Sequence, residues 1–560
     1  MIFSKTFVKI QMVFSLTVLV IGISACQNAK MDRKDRVAAM VGSMQDPFIA
    51  ATFTPQILID KSGMNEGALP FTYQAFASFF MSEEKTGIDN HAQVQVVVEN
   101  SGGMVPNAFA FIPVKNANQF KKLVEKELSA QVQEKNGAYY FRKDEDNYVV
   151  AWKDDIAIMT NIPLSLDNLF SKGITESKKT AIRLVNMLNE VAKKNINASF
   201  RAFFEKEGDV RCYVNGTSTY DLIESMRFIS KNDKVELKQL LSGTTMESVL
   251  NFEAGSINLN IDYELADSLK MYANVLSEKP ISVDLLQYGL TSKPMMAIAI
   301  SLSPENFVKL MKRQRDFMDT DGLEKELRAM DMTLDDLPNV ITGEILVMLD
   351  GLDSVSHTYT SYSGEEVSYK NYEPRIATII GLKDVNKIKF GITKMLAGTN
   401  DSSKIEEMYY HFSGNHLVLV SSVDWLSVIK NGNAKAIDQK NLLSNGLGIY
   451  LNPKMGEKLD FDMTEFGVIQ EEMIDLIGGM NNSGGQLTIK LKDANKNALR
   501  TILEKLIEAY ERNEKMLNSD LEATLNEELM DQIESEVEAS VEELINSDEM
   551  KALEKAIKKL

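Results

Sequence analysis

Three times along the chain a β-rich run ends in a lysine, an Asn or Asp follows, and an amphipathic helical pattern begins. The stretches are AFAFIPVKNANQFKKLVEKEL from Ala108, IATIIGLKDVNKIKFGITKML from Ile376 and LTIKLKDANKNALRTILEKL from Leu487. Each carries Lys-(Asn/Asp)-(Ala/Val)-Asn at the turn, at Lys115, Lys383 and Lys492. Asn116, Asp384 and Asp493 stand where an N-cap side chain accepts hydrogen bonds from unpaired backbone N–H groups. Behind the first cap, Phe120, Leu123, Val124 and Leu128 recur at helical spacing. A strand-to-helix corner used repeatedly restricts the chain to folds that lay helices on a sheet. The alternative, three lysines presenting a ligand site, leaves the amphipathic run behind each corner unexplained.

The corners sit inside a longer correspondence. Lys115 and Lys383 are 268 apart, as are Pro106 and Pro374. Pro47 to Pro55 and Pro294 to Pro304 both read as an apolar strand with proline at the following helix start. Ile88 to Asn100 parallels Ile341 to Gly351. NYVVAWKDDIAIMTN from Asn147 parallels EMYYHFSGNHLVLVSS from Glu407, each a strand, a two-residue bend and a strand. Ordered matches of this kind point to an internal repeat. The expected fold class is α+β: two tandem copies of a module, at 45–285 and 290–495, each an antiparallel sheet with helices on one face. Lys178 to Glu205 is an extra helical segment in the first. The third corner opens a C-terminal helical tail, 496–560. From Ser519 to Leu560 the tail has 13 acidic residues against 4 basic ones, with Leu521, Leu525, Leu529, Ile533, Val537, Val541 and Leu544 on one stripe. Docking, partner binding and tail-mediated oligomerisation are all compatible with such a stripe.

The first residues read as a targeting segment. Lys5 and Lys9 precede an apolar run from Ile10 to Ile23, and the stretch closes Ile23-Ser24-Ala25-Cys26. The run is short for a membrane span of about 20 residues. This ending resembles a bacterial lipobox, which implies removal of residues 1–25 and lipid attachment to the Cys26 thiol, palmitate among the acyl groups. Removal of Lys5 and Lys9 takes the formal charge from −19 to −21. Such an acidic surface repels phosphate backbones and excludes nucleic acid as a partner. The polar stretch 26–44 reads as a tether between lipid and body. Cys212, the other cysteine, lies in the apolar run Val210 to Val214 and reads as a small buried hydrophobe.

Residues that could do chemistry are few. His411 and His416 flank one bend, but a zinc site needs further ligands and no HExxH helix or CxxC pair is present. His357 follows Asp350 and Asp353 in a Ser/Thr/Tyr-rich stretch read as a loop, the most site-like segment of the chain. Asp319 to Gly322 matches part of a calcium loop but places Phe317 and Arg328 where its acids belong. There is no GxSxG elbow, P-loop or dinucleotide fingerprint, so no cofactor is expected.

The layout resembles a family of Bacteroidetes cell-envelope lipoproteins with a domain of unknown function. The resemblance rests on the Ile23 to Cys26 lipobox, the Pro47 to Lys61 opening, Leu337 to Glu344 and the repeated body. It implies an envelope location with lipid as a partner through Cys26, and no catalytic residue. Asn28, two residues after Cys26, fits outer-membrane sorting. The expectation is a lipid-anchored, non-enzymatic binding or scaffolding protein whose partner is an envelope protein or glycan. The competing expectation is an envelope hydrolase using carboxylates with or without His357.

Overall fold

The computed structural model describes residues 32–64, 82–100, 106–127, 130–143, 147–162, 174–190, 197–225, 237–238, 241–313, 320–360, 366–397, 404–405, 408–443, 446–453, 471–509 and 511–512. The chain divides into a unit of Met1–Phe461 with Gln470–Thr501 and a second of Asp462–Ile469 with Ile502–Leu560. All described strands lie in the first unit. The described part of the second, 502–509 and 511–512, is helical.

Among the described residues nineteen strands follow in chain order. They are β1 (Pro47–Phe53), β2 (Val94–Glu99), β3 (Asn107–Pro113), β4 (Gln133–Lys135), β5 (Ala138–Lys143), β6 (Tyr148–Lys153), β7 (Ile156–Asn161), β8 (Val210–Asn215), β9 (Thr245–Glu253) and β10 (Ser256–Glu264). Then come β11 (Met296–Ser301), β12 (Ile341–Thr360), β13 (Glu366–Leu382), β14 (Lys404–Ile405), β15 (Met408–Ser413), β16 (His416–Val420), β17 (Leu447–Leu451), β18 (Met473–Met480) and β19 (Gly484–Leu491). Every pairing is antiparallel, and the pairings trace one unbroken path. Its order is β4-β5-β6-β7-β3-β2-β1-β8-β9-β10-β19-β18-β17-β11-β12-β13-β16-β15-β14.

This path corrects the expected fold class of two α+β modules, each with its own sheet. Separate sheets would leave β10 and β19 as edges with a row of unpaired N–H and C=O groups. Instead Ser256–Asp262 pairs residue for residue with Gly484–Lys490, and the strands form one sheet. Outward from this seam the order runs β9, β8, β1, β2, β3, β7 on one side and β18, β17, β11, β12, β13, β16 on the other.

The expectation of helices on one face is corrected as well. Because side chains alternate along a strand, register assigns each residue to a face. One row of directly opposed residues runs Phe53, Val210, Leu250, Leu259, Leu487, Gly478, Ile449, Ile298, Val347. The neighbouring row, on the opposite face, runs Thr52, Arg211, Val249, Asn260, Gln486, Gly479, Gly448, Ala299, Leu346. The first row is apolar throughout, whereas the second carries Asn260 and Gln486 at its middle.

Helices cover the wings of both faces. The flanking layers include α1 (Arg33–Val41), α2 (Ala117–Glu127), α3 (Ile174–Glu190), α4 (Ala198–Glu205), α5 (Pro304–Arg313), α6 (Thr320–Ala329), α7 (Val385–Leu396) and α8 (Val423–Lys430). On the first face α2 sets Phe120 and Val124 against Ala110, Ile112 and Trp152. In the other wing α5, α6 and α7 set Val308, Leu327 and Ile388 against Leu382 and Leu417. On the second face α1, α3 and α4 pack Met40, Leu184 and Phe203 onto Ala50, Val97 and Phe109. There too α8 and the 3-10 turn Val283–Tyr288 pack Trp425 and Leu285 onto Ala297, Ala299 and Leu346. Each fully buried large apolar side chain contributes about 1.5–3 kcal/mol. Trp425 and Trp152 are 0% exposed. The Trp425 indole N–H donates to the Tyr288 carbonyl at 2.9 Å.

The stretch expected as a tether contains α1, and Val37–Val41 are at most 1% exposed. Charge dominates QNAKMDRKDR, which hides the short apolar turn VAAMV behind it. Two of the three corners cap as expected. Asn116 accepts from the Asn118 and Gln119 amides, both at 3.1 Å, and Asp384 from the Lys387 amide at 2.9 Å. At the third, Asp493 closes a turn through the Asn495 amide at 3.0 Å, and helix begins only at residue 498, where Asn497 accepts from the Leu499 amide at 3.0 Å. The calcium-like stretch is helix over Thr320–Ala329; Asp319 lies outside the described residues.

Candidate functional site

The segment around His357 is strand, not loop. Beyond Leu349 on β12 and Ile376 on β13 the two strands leave their other neighbours and continue as a two-stranded ribbon, from Gly351 opposite Arg375 to Thr360 opposite Glu366. His357 lies on this ribbon opposite Tyr369. A rise of about 3.3 Å per residue separates Asp350 from His357 by about 23 Å and Asp353 from His357 by about 13 Å. The three do not converge.

Asp350 is committed to the framework. It is 6% exposed. Its carboxylate accepts from the Leu290 amide at 2.7 Å, the Thr291 amide at 3.0 Å and the Thr291 hydroxyl at 2.7 Å. These bonds pin the segment entering β11 to the point where β12 leaves the sheet. Asp353 is different: its side chain is 52% exposed and lies 3.5 Å from the Arg375 Nε. Exposed pairs of this kind contribute little, about 0–1 kcal/mol.

His411 and His416 belong to the β15–β16 hairpin, whose Gly414-Asn415 bend matches the sequence reading. Opposition of His411 with Val418 and of Ser413 with His416 puts both imidazoles on one face. The His416 Nδ1 lies 2.9 Å from the Tyr288 hydroxyl, which also donates towards the Ser413 carbonyl at 3.3 Å. Burial pushes the His416 pKa down, against an upward pull from Asp284 and Glu344. Burial also pushes His411 down, helped by Lys430 and Lys389. In both rings partial burial favours the neutral imidazole over the cation. Among the described residues no group of three or more His, Cys, Asp or Glu side chains is placed to hold a metal ion.

Cys212 lies half-buried on β8, and burial raises its thiol pKa against a Ser248 hydrogen bond. A raised thiol is a poor nucleophile at neutral pH. Cys26 lies outside the described residues.

The structure also shows buried polar groups that periodicity does not reveal. Arg211 is 1% exposed, and burial lowers its pKa to about 10 against the pull of Glu247. Its guanidinium donates to the Thr52 hydroxyl from Nε at 3.1 Å and from Nη2 at 2.8 Å, and to the Phe203 carbonyl. It also stacks 4.8 Å from the Phe203 ring centroid. Glu99, 1% exposed, receives Arg183, Asn107 and the Gln45 amide. Both networks tie a strand to the layer above it. The alternation of Arg211 with apolar neighbours on β8 is the one sequence signal for the first.

The middle of the first face carries a row of apolar residues that take no part in these networks. Leu250, Leu259, Leu487 and Ile449 cross it in one row. Phe252 and Ile257 beside them belong to none of the four helix-covered clusters. Met246, Ile449, Ile474 and Met480 are 37–40% exposed. Among the described residues the strand side chains named here offer contact area and no charge.

No protein-family model and no curated protein matches the chain. Among solved structures it resembles crystal form III of TP0453 at 13% identity and a TM-score of 0.24, over 43% of this chain and 82% of that one. Crystal form I of the same protein gives 11% identity and a TM-score of 0.22, over 73% of this chain and 100% of that one. Likenesses this slight leave the function to the chain's own residues. No described helix is long and apolar enough to cross a membrane.

Proposed function

We propose that this chain is a lipid-anchored protein of a bacterial cell envelope, acylated on Cys26, whose folded body binds or scaffolds rather than catalyses. The N-terminal pattern Lys5, Lys9, Ile10 to Ile23 and Ile23-Ser24-Ala25-Cys26 supports the anchor. Asn28 supports the outer membrane as its destination. One observation carries the non-catalytic part: the polar residues best suited to chemistry are dispersed. Asp350 is saturated by Leu290 and Thr291, Asp353 is at the surface with Arg375, and His416 faces Tyr288. The hydrolase alternative uses carboxylates with or without His357; the form that draws on Asp350, Asp353 and His357 together is disfavoured by strand rise, which sets the first and last about 23 Å apart. The partner class is an envelope protein or a glycan, and the internal repeat is part of this reading.

Two acyl-type chains on one cysteine hold a protein firmly, at about 0.8 kcal/mol per buried CH₂. Cys26→Ala should therefore abolish incorporation of labelled fatty acid and move the protein from the membrane to the soluble fraction. Continued labelling of the variant would overturn the anchor.

A further inference from the structure

We infer that the surface this protein turns to the phospholipid bilayer is the end of the sheet carrying the β6–β7 turn, where α1 begins. The inference rests on the proposed acylation of Cys26 and goes beyond it by naming a surface.

Only residues 27–32 separate Cys26 from Arg33, the first residue of α1. Whatever their conformation, a chain of that length spans at most about 25 Å. The far end of this short leash is fixed. The apolar turn Val37–Val41 is buried in the core beneath α3 and α4. The first turn of α1 is held by ion pairs: Arg33 to Asp89 at 3.0 Å, Arg33 to Asp155 at 3.5 Å, Arg36 to Asp155, and Arg201 to Asp35 at 2.6 Å. The Asp89 carboxylate is 2% exposed, so its pair with Arg33 is shielded from water and salt.

Asp155 belongs to the β6–β7 turn, and its carbonyl accepts from the Val114 amide at 2.9 Å beside the Lys115-Asn116 corner. Asp89 joins the same place through its amide to the Pro113 carbonyl at 3.0 Å. Lipid, leash, helix and turn are thus connected at one end of the strands. Just beyond the other end of β6 lies Asn147, seven residues from Asp154 and about 23 Å away at strand rise. A flexible tether of forty residues would leave the body free to tumble. A leash of six, whose full reach only matches that separation, biases Asp154 towards the headgroups over Asn147.

The test uses the full-length acylated protein in phosphatidylethanolamine–phosphatidylcholine vesicles that carry a headgroup-linked fluorescence quencher. A fluorophore is placed at Asp154→Cys or Asn147→Cys in a Cys212→Ser background. Both positions are exposed but sit at positive φ, 55° and 56°, so each variant is first shown by circular dichroism to keep the native fold. We expect quenching at 154 to exceed that at 147 at least threefold, and insertion of twenty Gly/Ser residues after Ala29 to bring the ratio close to one. Equal quenching in the native-length protein, or a ratio unchanged by the insertion, would overturn the inference while leaving the anchor intact. Failure of the native-length protein to float with the vesicles would overturn the anchor, and the inference with it.

Discussion

Asp350 and Asp353 lie three residues apart in the most site-like segment of the sequence, and at the residue scale their fates differ for a physical reason. A carboxylate at the point where a strand leaves the sheet can satisfy two backbone amides and a hydroxyl of a crossing segment, and Asp350 does so. Removing a buried acceptor strands its donors, which costs more than the bonds themselves contribute. Asp350→Ala should destabilise the body by about 3 kcal/mol in urea unfolding, whereas Asp353→Ala should change it by less than about 0.5 kcal/mol. Asp336 supplies a pH prediction. Hydrogen bonds from Lys387 and then from Thr333 lower its pKa to about 2. A depressed acid stabilises the fold above its ordinary pKa near 4, and that contribution is lost as pH falls towards 2. Asp336→Asn should therefore flatten the stability–pH curve between about 4 and 2 and leave its slope above pH 5 unchanged. An unaltered acid limb would refute the assignment.

At the element scale the helix corners were legible because capping is local. A side-chain acceptor directly before an amphipathic run, two or three residues ahead of the amides it caps, has the same task wherever it occurs. Asn116→Ala and Asp384→Ala should each cost about 1 kcal/mol, while Lys115→Ala should be nearly neutral; the reverse order would revive a ligand role for the lysines. The hairpins at Asp154-Asp155 and Gly414-Asn415 were legible for the same reason. The third corner was misread because Lys-Asp-Ala-Asn and Asn497 both offer caps, and only the turn between them decides which is used. The ribbon was misread because Gly, Ser, Thr and Tyr between Gly351 and Thr360 suit a loop by composition, whereas cross-strand pairing holds them in β geometry. In α1 the apolar turn is too short to register as periodicity, and its burial follows from Phe203 and Leu184 being above it.

At the scale of the whole molecule the decisive contact is the β10–β19 seam. Strands 220 or more residues apart share it, from Ser256 with Lys490 to Asp262 with Gly484. A sheet joined in this way should unfold as one cooperative body, because losing either wing exposes the edge of the other. Calorimetry of the protein should show a single transition for the sheet. A polypeptide ending at residue 285 should leave β10 unpaired and associate through it, as measured by light scattering. Two well-separated transitions, or a monomeric stable fragment, would show that the wings fold independently.

Local chemistry in this sequence determined its strands, turns and capped helices, since each depends on residues a few positions apart. It also set the amphipathic rows: Leu250, Leu259, Leu487 and Ile449 are apolar before any pairing is known. Tertiary structure alone decided that those rows would be aligned in one sheet, that helices would cover both faces, and that Asp350, Glu99 and Arg211 would be used as buried ties. Pairing between distant strands depends on register and edge satisfaction summed over the whole chain, and no window of sequence contains that sum. The corner at Lys115-Asn116 therefore reported correctly on the helix it begins, while its place beside Asp155, at the end of the sheet nearest α1, became visible only in the fold.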